Sequence, residues 1–98
     1  MGKLTGFLEY GRATAAEEPA QARIQHWDAF HPAQGEDGIR EQAARCMNCG
    51  VPFCHAGVSW RGVASGCALG NLIPEWNHLV YKGHYEEALR RLEQTNPL

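Results

Sequence analysis

A mostly α-helical domain with irregular, cysteine-bearing loops is what this sequence predicts, and three observations predict it. Apolar residues recur at helical spacing in several segments, and no segment sustains the alternation of a strand. All four cysteines fall within 22 residues, Cys46 to Cys67, in the arrangement C-x2-C-x4-C-x12-C. At 98 residues, 44% of them hydrophobic, the chain holds one domain at most. A core of that size gains from a staple such as a metal centre.

Residues 1–22 read as an irregular, loosely held arm, interrupted by Gly2, Gly6 and Gly11 and carrying Pro19; Phe7, Leu8 and Tyr10 are its docking candidates. Arg23 to His31 is expected to form a short helix, with Ile24, Trp27 and Phe30 at i, i+3, i+6. Pro32 ends it, because the residue before a proline is pushed out of the helical region. Asp37 is the expected N-cap of a second helix from Gly38 to about Arg45, with Ile39, Ala43 and Cys46–Met47 on its apolar face. That helix delivers Cys46 at its C-terminal end, and Gly50 and Pro52 then force a tight loop. The glycine-rich stretch 58–66, with Trp60 and Arg61 inside it, reads as a loop.

Asn71 is expected to cap a third helix, with Leu72 and Ile73 in its first turn. Pro74 is tolerated there because those amides have no intrahelical partner. Leu72, Trp76, Leu79 and Val80 make its apolar stripe and Gly83 stops it. A fourth helix is expected from about His84 to Thr95, with Tyr85, Ala88, Leu89 and Leu92 facing inward and Asn96–Pro97 ending it. Glu86–Arg90 and Glu87–Arg91 are i,i+4 pairs in the favourable order.

Thiolates at such short intervals serve soft metal centres. A four-iron cluster needs four anionic ligands, and Cys46, Cys49 and Cys54 supply three from one loop, with Cys67 more remote. Gly50, Gly66 and Gly70 let bare backbone approach the group, and Val51, Phe53, Trp60 and Leu69 are expected to cover it. Zinc is the structural alternative: Cys46, Cys49 and Cys54 with Cys67 or His55 make an acceptable set. Spacing alone leaves iron–sulfur and zinc open. Among His26, His31, His55, His78 and His84 none stands at catalytic spacing from carboxylates, and only His55 is held as a donor behind the ligands. Trp27, Trp60 and Trp76 are expected in the core.

No glycine-rich phosphate loop, carboxylate pair or Ser/His/Asp set is present, which excludes dinucleotide binding and acid–base catalysis by this chain alone. A net charge of -2 without a basic stripe gives no reason to expect nucleic acid. No apolar run approaches a membrane span, and no secretory start is visible, so the expected compartment is the cytoplasm. In that reducing setting the cysteines are not expected to form disulfides.

The ordered string from Cys46-Met47-Asn48-Cys49-Gly50-Val51-Pro52-Phe53-Cys54-His55 through Gly66-Cys67-Ala68-Leu69-Gly70-Asn71-Leu72-Ile73-Pro74-Glu75-Trp76-Asn77 resembles the N-terminal iron–sulfur domain of the small (beta) subunit of NAD(P)H-dependent glutamate synthase. The opening Gly6-Phe7-Leu8-Glu9-Tyr10 and the segments Asn77 to Gly83 and Glu87 to Asn96 extend the likeness over nearly the whole chain. The N-terminal domain of dihydropyrimidine dehydrogenase is similar. The resemblance implies an alpha-helical ferredoxin-like domain, 23–98 behind the arm 1–22, carrying two [4Fe–4S] clusters. These pass electrons from FAD, reduced by NADPH or NADH, to a large (alpha) subunit that makes glutamate from glutamine and 2-oxoglutarate. It implies that Cys46, Cys49 and Cys54 ligate one cluster and that Cys67 ligates the other. Ala68 stands where the family generally has proline. The family's later cysteine group and its flavin and nicotinamide domains are not in these 98 residues, so the chain is expected to be a piece of a longer protein, truncated at its C-terminal end, with incomplete cluster loading. Two other readings belong beside this one: a zinc-stapled structural domain and a small helical interaction module. The latter rests on Gly83-x-Tyr85-x-x-Ala88-Leu89, which resembles the start of a tetratricopeptide helix but occurs once.

Overall fold

A computed structural model describes residues 2–56 and 59–96 of the chain. In order come α1 (Gly6–Glu9), α2 (Ala20–Arg23), α3 (Glu36–Ala44), α4 (Phe53–Ala56), β1 (Ser59–Trp60), β2 (Val63–Ala64), α5 (Ile73–Lys82) and α6 (Tyr85–Glu93). The mostly helical class expected from the sequence is the class observed. Three helices make the body: α5 lies between α3 and α6 and packs on both.

The packed centre is built from small residues. Ala43, Ala44 and Ala88 are its buried apolar side chains, and Ala44 is 0% exposed. Gly6 and Pro74 are buried with them. Most large apolar side chains stay at the surface, so the centre is smaller than the composition suggests. The radius of gyration is 15.7 Å, against about 13 Å for a compact chain of this length.

The N-cap position of α3 is Gly35, and Asp37, expected as its cap, sits inside the first turn beside Glu36. Both carboxylates there meet the positive end of the helix dipole. The buried stripe is Ala43–Ala44, while Ile39 stays exposed. The stripe lies where it does because the N-terminal arm docks there. A Cβ on Gly6 would stand 2.1 Å from the backbone oxygen of Ala44, so only glycine lets α1 lie backbone to backbone on α3. Gln42 holds the arm further along: its Oε1 accepts the Ala13 amide at 3.1 Å and its Nε2 donates to the Gly11 carbonyl at 3.0 Å. Within the arm, Glu9 receives both Lys3 and the Thr5 hydroxyl. The beginning of the arm is therefore seated on the body rather than loosely held.

The helix expected over Arg23–His31 is absent. One turn, α2, forms earlier, behind Pro19. Beyond it the His26 ring captures the backbone: its Nδ1 accepts the Asp28 amide at 3.1 Å, while Nε2 meets Glu18 at 2.8 Å. The Glu18 amide donates to Phe30 O at 2.9 Å, pairing extended segments. Side-chain capture of an amide competes with helix formation in this way. Trp27, expected in the core, is 105% exposed, and Ile24 is exposed beside it.

The loop expected over 58–66 contains a minimal hairpin, Ser59 opposite Ala64 and Trp60 opposite Val63. Arg61 (φ 51°) and Gly62 (φ 80°) supply the two left-handed residues that a tight hairpin turn requires. Gly57, Val58, the Trp60 side chain and Pro97 lie outside what the structure describes.

Helix α5 carries Pro74 in its first turn and ends at Gly83 in the left-handed conformation (φ 83°), as the sequence indicates. The Gly83 and His84 amides satisfy the carbonyls of Val80 and Leu79. Arg40 reaches from α3 to the Tyr81 carbonyl at 3.0 Å, tying α3 to the same helix end. In α6 the Glu86–Arg90 pair forms at 2.6 Å. Arg91 does not take Glu87; it crosses to Glu75 of α5 at 3.1 Å, linking the helices.

Candidate metal centre

Cys46 follows Arg45, the C-cap of α3, and its amide is held by the Ala43 carbonyl at 3.2 Å. Asn48 then turns the chain in the left-handed conformation (φ 48°), which asparagine tolerates better than most residues. That turn brings Cys49 back toward Cys46. Pro52 starts the single-turn α4, where the amides of His55 and Ala56 both reach the Pro52 carbonyl, and Cys54 sits in that turn. Where a tight loop was expected, this short helix orients the third thiol.

Cys46, Cys49 and Cys54 line one pocket of about 420 Å³ between the end of α3 and the start of α5, with Arg45, Phe53 and Pro74 also in its wall. Burial, followed by the neighbouring Cys46 and Cys49, pushes the Cys54 thiol above the ordinary cysteine range. All four cysteines are free thiols.

Cys67 stands outside that wall but is tied to it. Its amide donates to the Cys54 carbonyl at 2.8 Å. Gly66 (φ 74°) and Gly70 (φ 64°) bend the backbone on either side of it. The nearby backbone of Asn71 first, then that of Leu69 and Gly70, draws the Cys67 thiol below the ordinary range. Backbone amides near a cysteine sulfur stabilise negative charge on it, as a ligand to a soft metal requires.

Asn71 was expected to cap α5, but the cap position is Leu72, with no side-chain bond. Asn71 is instead 9% exposed and acts as a junction. Its carbonyl accepts Nδ1–H of His55 at 2.9 Å and the Ile73 amide at 2.8 Å. Its side-chain oxygen accepts the Thr95 hydroxyl at 2.7 Å. The Cys54 turn, the Cys67 loop and the end of α6 therefore meet at one residue. His55 thus ties the Cys54 turn to Asn71 through this carbonyl. A buried asparagine with a hydroxyl partner 24 residues away leaves no local signal in the sequence.

The expected apolar cover is partial. Phe53 lines the pocket but, like Val51 and Leu69, is largely exposed. Among the described residues, no group of three or more His, Cys, Asp or Glu stands close enough to hold a metal ion.

A second observation bears on fit. The Nε of Arg45 is buried and has no hydrogen-bond acceptor. Arg45 lines the cysteine pocket, whose wall contains no carboxylate. An anionic, sulfur-rich group suits the three thiols.

Comparison with known proteins gives the family. The family model described as "Dihydropyrimidine dehydrogenase domain II, 4Fe-4S cluster" matches residues 23–98. The "Glutamate synthase [NADPH] small chain" of Bacillus subtilis is 48% identical over 96 residues, covering 98% of this chain and 20% of that one. The protein of the same name from Mycobacterium tuberculosis is 42% identical over 92 residues, covering 93% of this chain and 17% of that one. "Glutamate synthase [NADH]" of Schizosaccharomyces pombe is 38% identical over 96 residues, with 98% of this chain and 4% of that one covered. This chain thus spans about a fifth or less of the length of these relatives.

Proposed function

The chain belongs to the dihydropyrimidine dehydrogenase domain II, 4Fe-4S cluster, family, and from that premise we propose that it is the electron-relay domain of a glutamate synthase small chain. In this reading Cys46, Cys49 and Cys54 hold one [4Fe–4S] cluster and Cys67 contributes to a second. Residues 1–22 are the seated arm and 23–98 the cluster-binding domain. Electrons arrive from NADPH or NADH through FAD on the enzyme's own flavin domain. They leave toward a large subunit that converts glutamine and 2-oxoglutarate to glutamate in the cytoplasm. Supporting the parent enzyme is the agreement of relatives from bacteria and yeast on the name glutamate synthase.

The observation that carries the cluster assignment is the shared pocket of Cys46, Cys49 and Cys54. When bound, an iron–sulfur group supplies reversible one-electron storage without proton chemistry. The chain's part is to hold and tune. Helix α3 and the Asn48 turn fix two thiols, and α4 fixes the third. The backbone around Cys67 offsets its negative charge. No titratable pair in the site asks for acid–base chemistry.

Anaerobic reconstitution of the full chain with iron and sulfide tests the reading. Brown visible absorption and acid-labile sulfide are expected, and Cys46→Ser, Cys49→Ser and Cys54→Ser should each diminish both. Two cubanes call for eight ligands and the chain offers four cysteines, so fewer than two full clusters per chain are expected. A colourless chain that takes up zinc but no iron would refute the assignment.

A further inference from the structure

The N-terminal arm follows the last turn of α3 in a fixed order. Gly11 and Ala13 meet the Gln42 side chain. Gly6 lies on the backbone of Ala44, and a Cβ on Gly2 would stand 3.0 Å from the carbonyl oxygen of Cys46. Going back along the arm is therefore going forward along α3, and the arm's first described residue rests on the first cysteine of the pocket. Within the arm Lys3 and Thr5 both close on Glu9, and the Lys3 ammonium stands 5.5 Å from the centre of the Tyr10 ring, so Gly2 and Gly6 are presented together. The arm lies outside the segment matched by the cluster family, 23–98.

The turn beneath it is weakly held by its own bonds. Helix α3 has nine residues, too few to persist alone in water. Its end rests on two long bonds, from the Arg45 amide to Gln42 O at 3.3 Å and from the Cys46 amide to Ala43 O at 3.2 Å. Helix ends of this kind fray. The Arg40 tie to Tyr81 of α5 acts further back along the helix. Fraying of the last turn would carry Cys46 out of the wall it shares with Cys49 and Cys54. The carbonyls of Ala43, Ala44 and Cys46, at that end, are the ones the arm covers.

We propose that the arm is an integral part of the cysteine site, with Gln42 as its positioning residue: seating of the arm pins the end of α3 and with it the place of Cys46. The consequence for metal retention rests on the cluster reading above, while the pinning itself does not.

The test uses the full chain as parent, Gln42→Met and Gly6→Ala. Methionine keeps the length and helix preference of Gln42 and removes both of its bonds to the arm. Gly6→Ala lifts the arm from the other side of the contact. Amide hydrogen exchange of the metal-free chain is followed at a series of low guanidinium concentrations. In Gln42→Met the Arg45 and Cys46 amides should exchange about tenfold faster than in the parent, the factor that two exposed hydrogen bonds carry together. Gly6→Ala should quicken them by as much or more. That exchange should hardly depend on denaturant, because a local opening exposes little surface. A dependence as steep as that of the α5 amides would mean that the arm only adds to overall stability, and it overturns the proposal, as does exchange at the parent's rate. After iron–sulfide loading, chelator-driven iron loss should quicken by a similar factor in both variants, and loss at the parent's rate also overturns it. A parent that takes up no iron overturns the cluster reading instead, and the exchange result alone then decides the pinning.

Discussion

Replacing Gly6 by alanine sets two effects of opposite sign against each other. Gly6 opens α1 without a positive φ, so alanine fits its backbone conformation. On an undocked helix the change would stabilise by about 0.5–1 kcal/mol, through helix propensity and lost chain entropy. In this structure the new Cβ would lie 2.1 Å from the Ala44 oxygen and 2.8 Å from its carbonyl carbon. Both are backbone atoms, so no rotamer change relieves the clash, and α1 must withdraw by roughly an ångström, at an overpacking cost of about 1–3 kcal/mol or more. The clash wins. With about 4–8 °C per kcal/mol for a domain of this size, the melting temperature should fall by roughly 5–15 °C. Gly11→Ala is the control, since nothing lies within 4 Å of its would-be Cβ; it should shift the midpoint by no more than about 2 °C, as a surface change does. Thermal unfolding followed by far-ultraviolet circular dichroism reads both. A Gly6→Ala chain that melts higher than the parent would refute the seating of the arm on α3.

Other substitutions bear on other links. Gly83→Ala forces a side chain into the left-handed conformation at the end of α5 and should cost about 1–2 kcal/mol in denaturant unfolding. Thr95→Val removes the hydroxyl held by Asn71; hydrogen exchange of the 69–71 amides should quicken about fivefold, the worth of one neutral hydrogen bond, and Thr95→Ser should restore it. In the metal-free chain Cys67 should be alkylated before Cys54 at neutral pH, because the nearby backbone lowers the Cys67 thiol and burial raises that of Cys54. The sign for stability follows: the backbone–thiolate contribution at Cys67 is present above the thiol's unfolded pKa and is lost as pH falls through its depressed folded pKa. Site-resolved mass spectrometry reads the alkylation order, and Cys54 reacting first would contradict it.

What the sequence revealed was what its local chemistry controls. Helices α3, α5 and α6 were legible because spacing, the proline in α5 and Gly83 all act within a turn or two. The three-thiol pocket was legible for the same reason, since Cys46 to Cys54 is one short loop. The apolar stripe Ile24, Trp27, Phe30 matched a helix equally well, yet His26 binding the Asp28 amide and Glu18 diverts that segment. Periodicity alone carries no information about such capture. The arm's contact between Gly6 and Ala44 spans 38 positions, and Arg91 chose Glu75 on a neighbouring helix over Glu87 on its own. The junction at Asn71 likewise needs Thr95 and His55 brought together by the fold. These are tertiary choices among locally acceptable partners.

The alanine-built centre has a thermodynamic corollary. Ala43, Ala44 and Ala88 remove little apolar area from water, so hydrophobic burial gives the metal-free chain only a narrow margin over unfolding. Thiolates gathered in one place by the fold bind an inorganic group more tightly than the same thiolates scattered in an open chain. By mass action that difference returns as folding free energy. Cofactor occupancy and resistance to proteolysis are then expected to rise and fall together, so scarcity of iron would shorten the lifetime of the polypeptide as well as silence its redox chemistry.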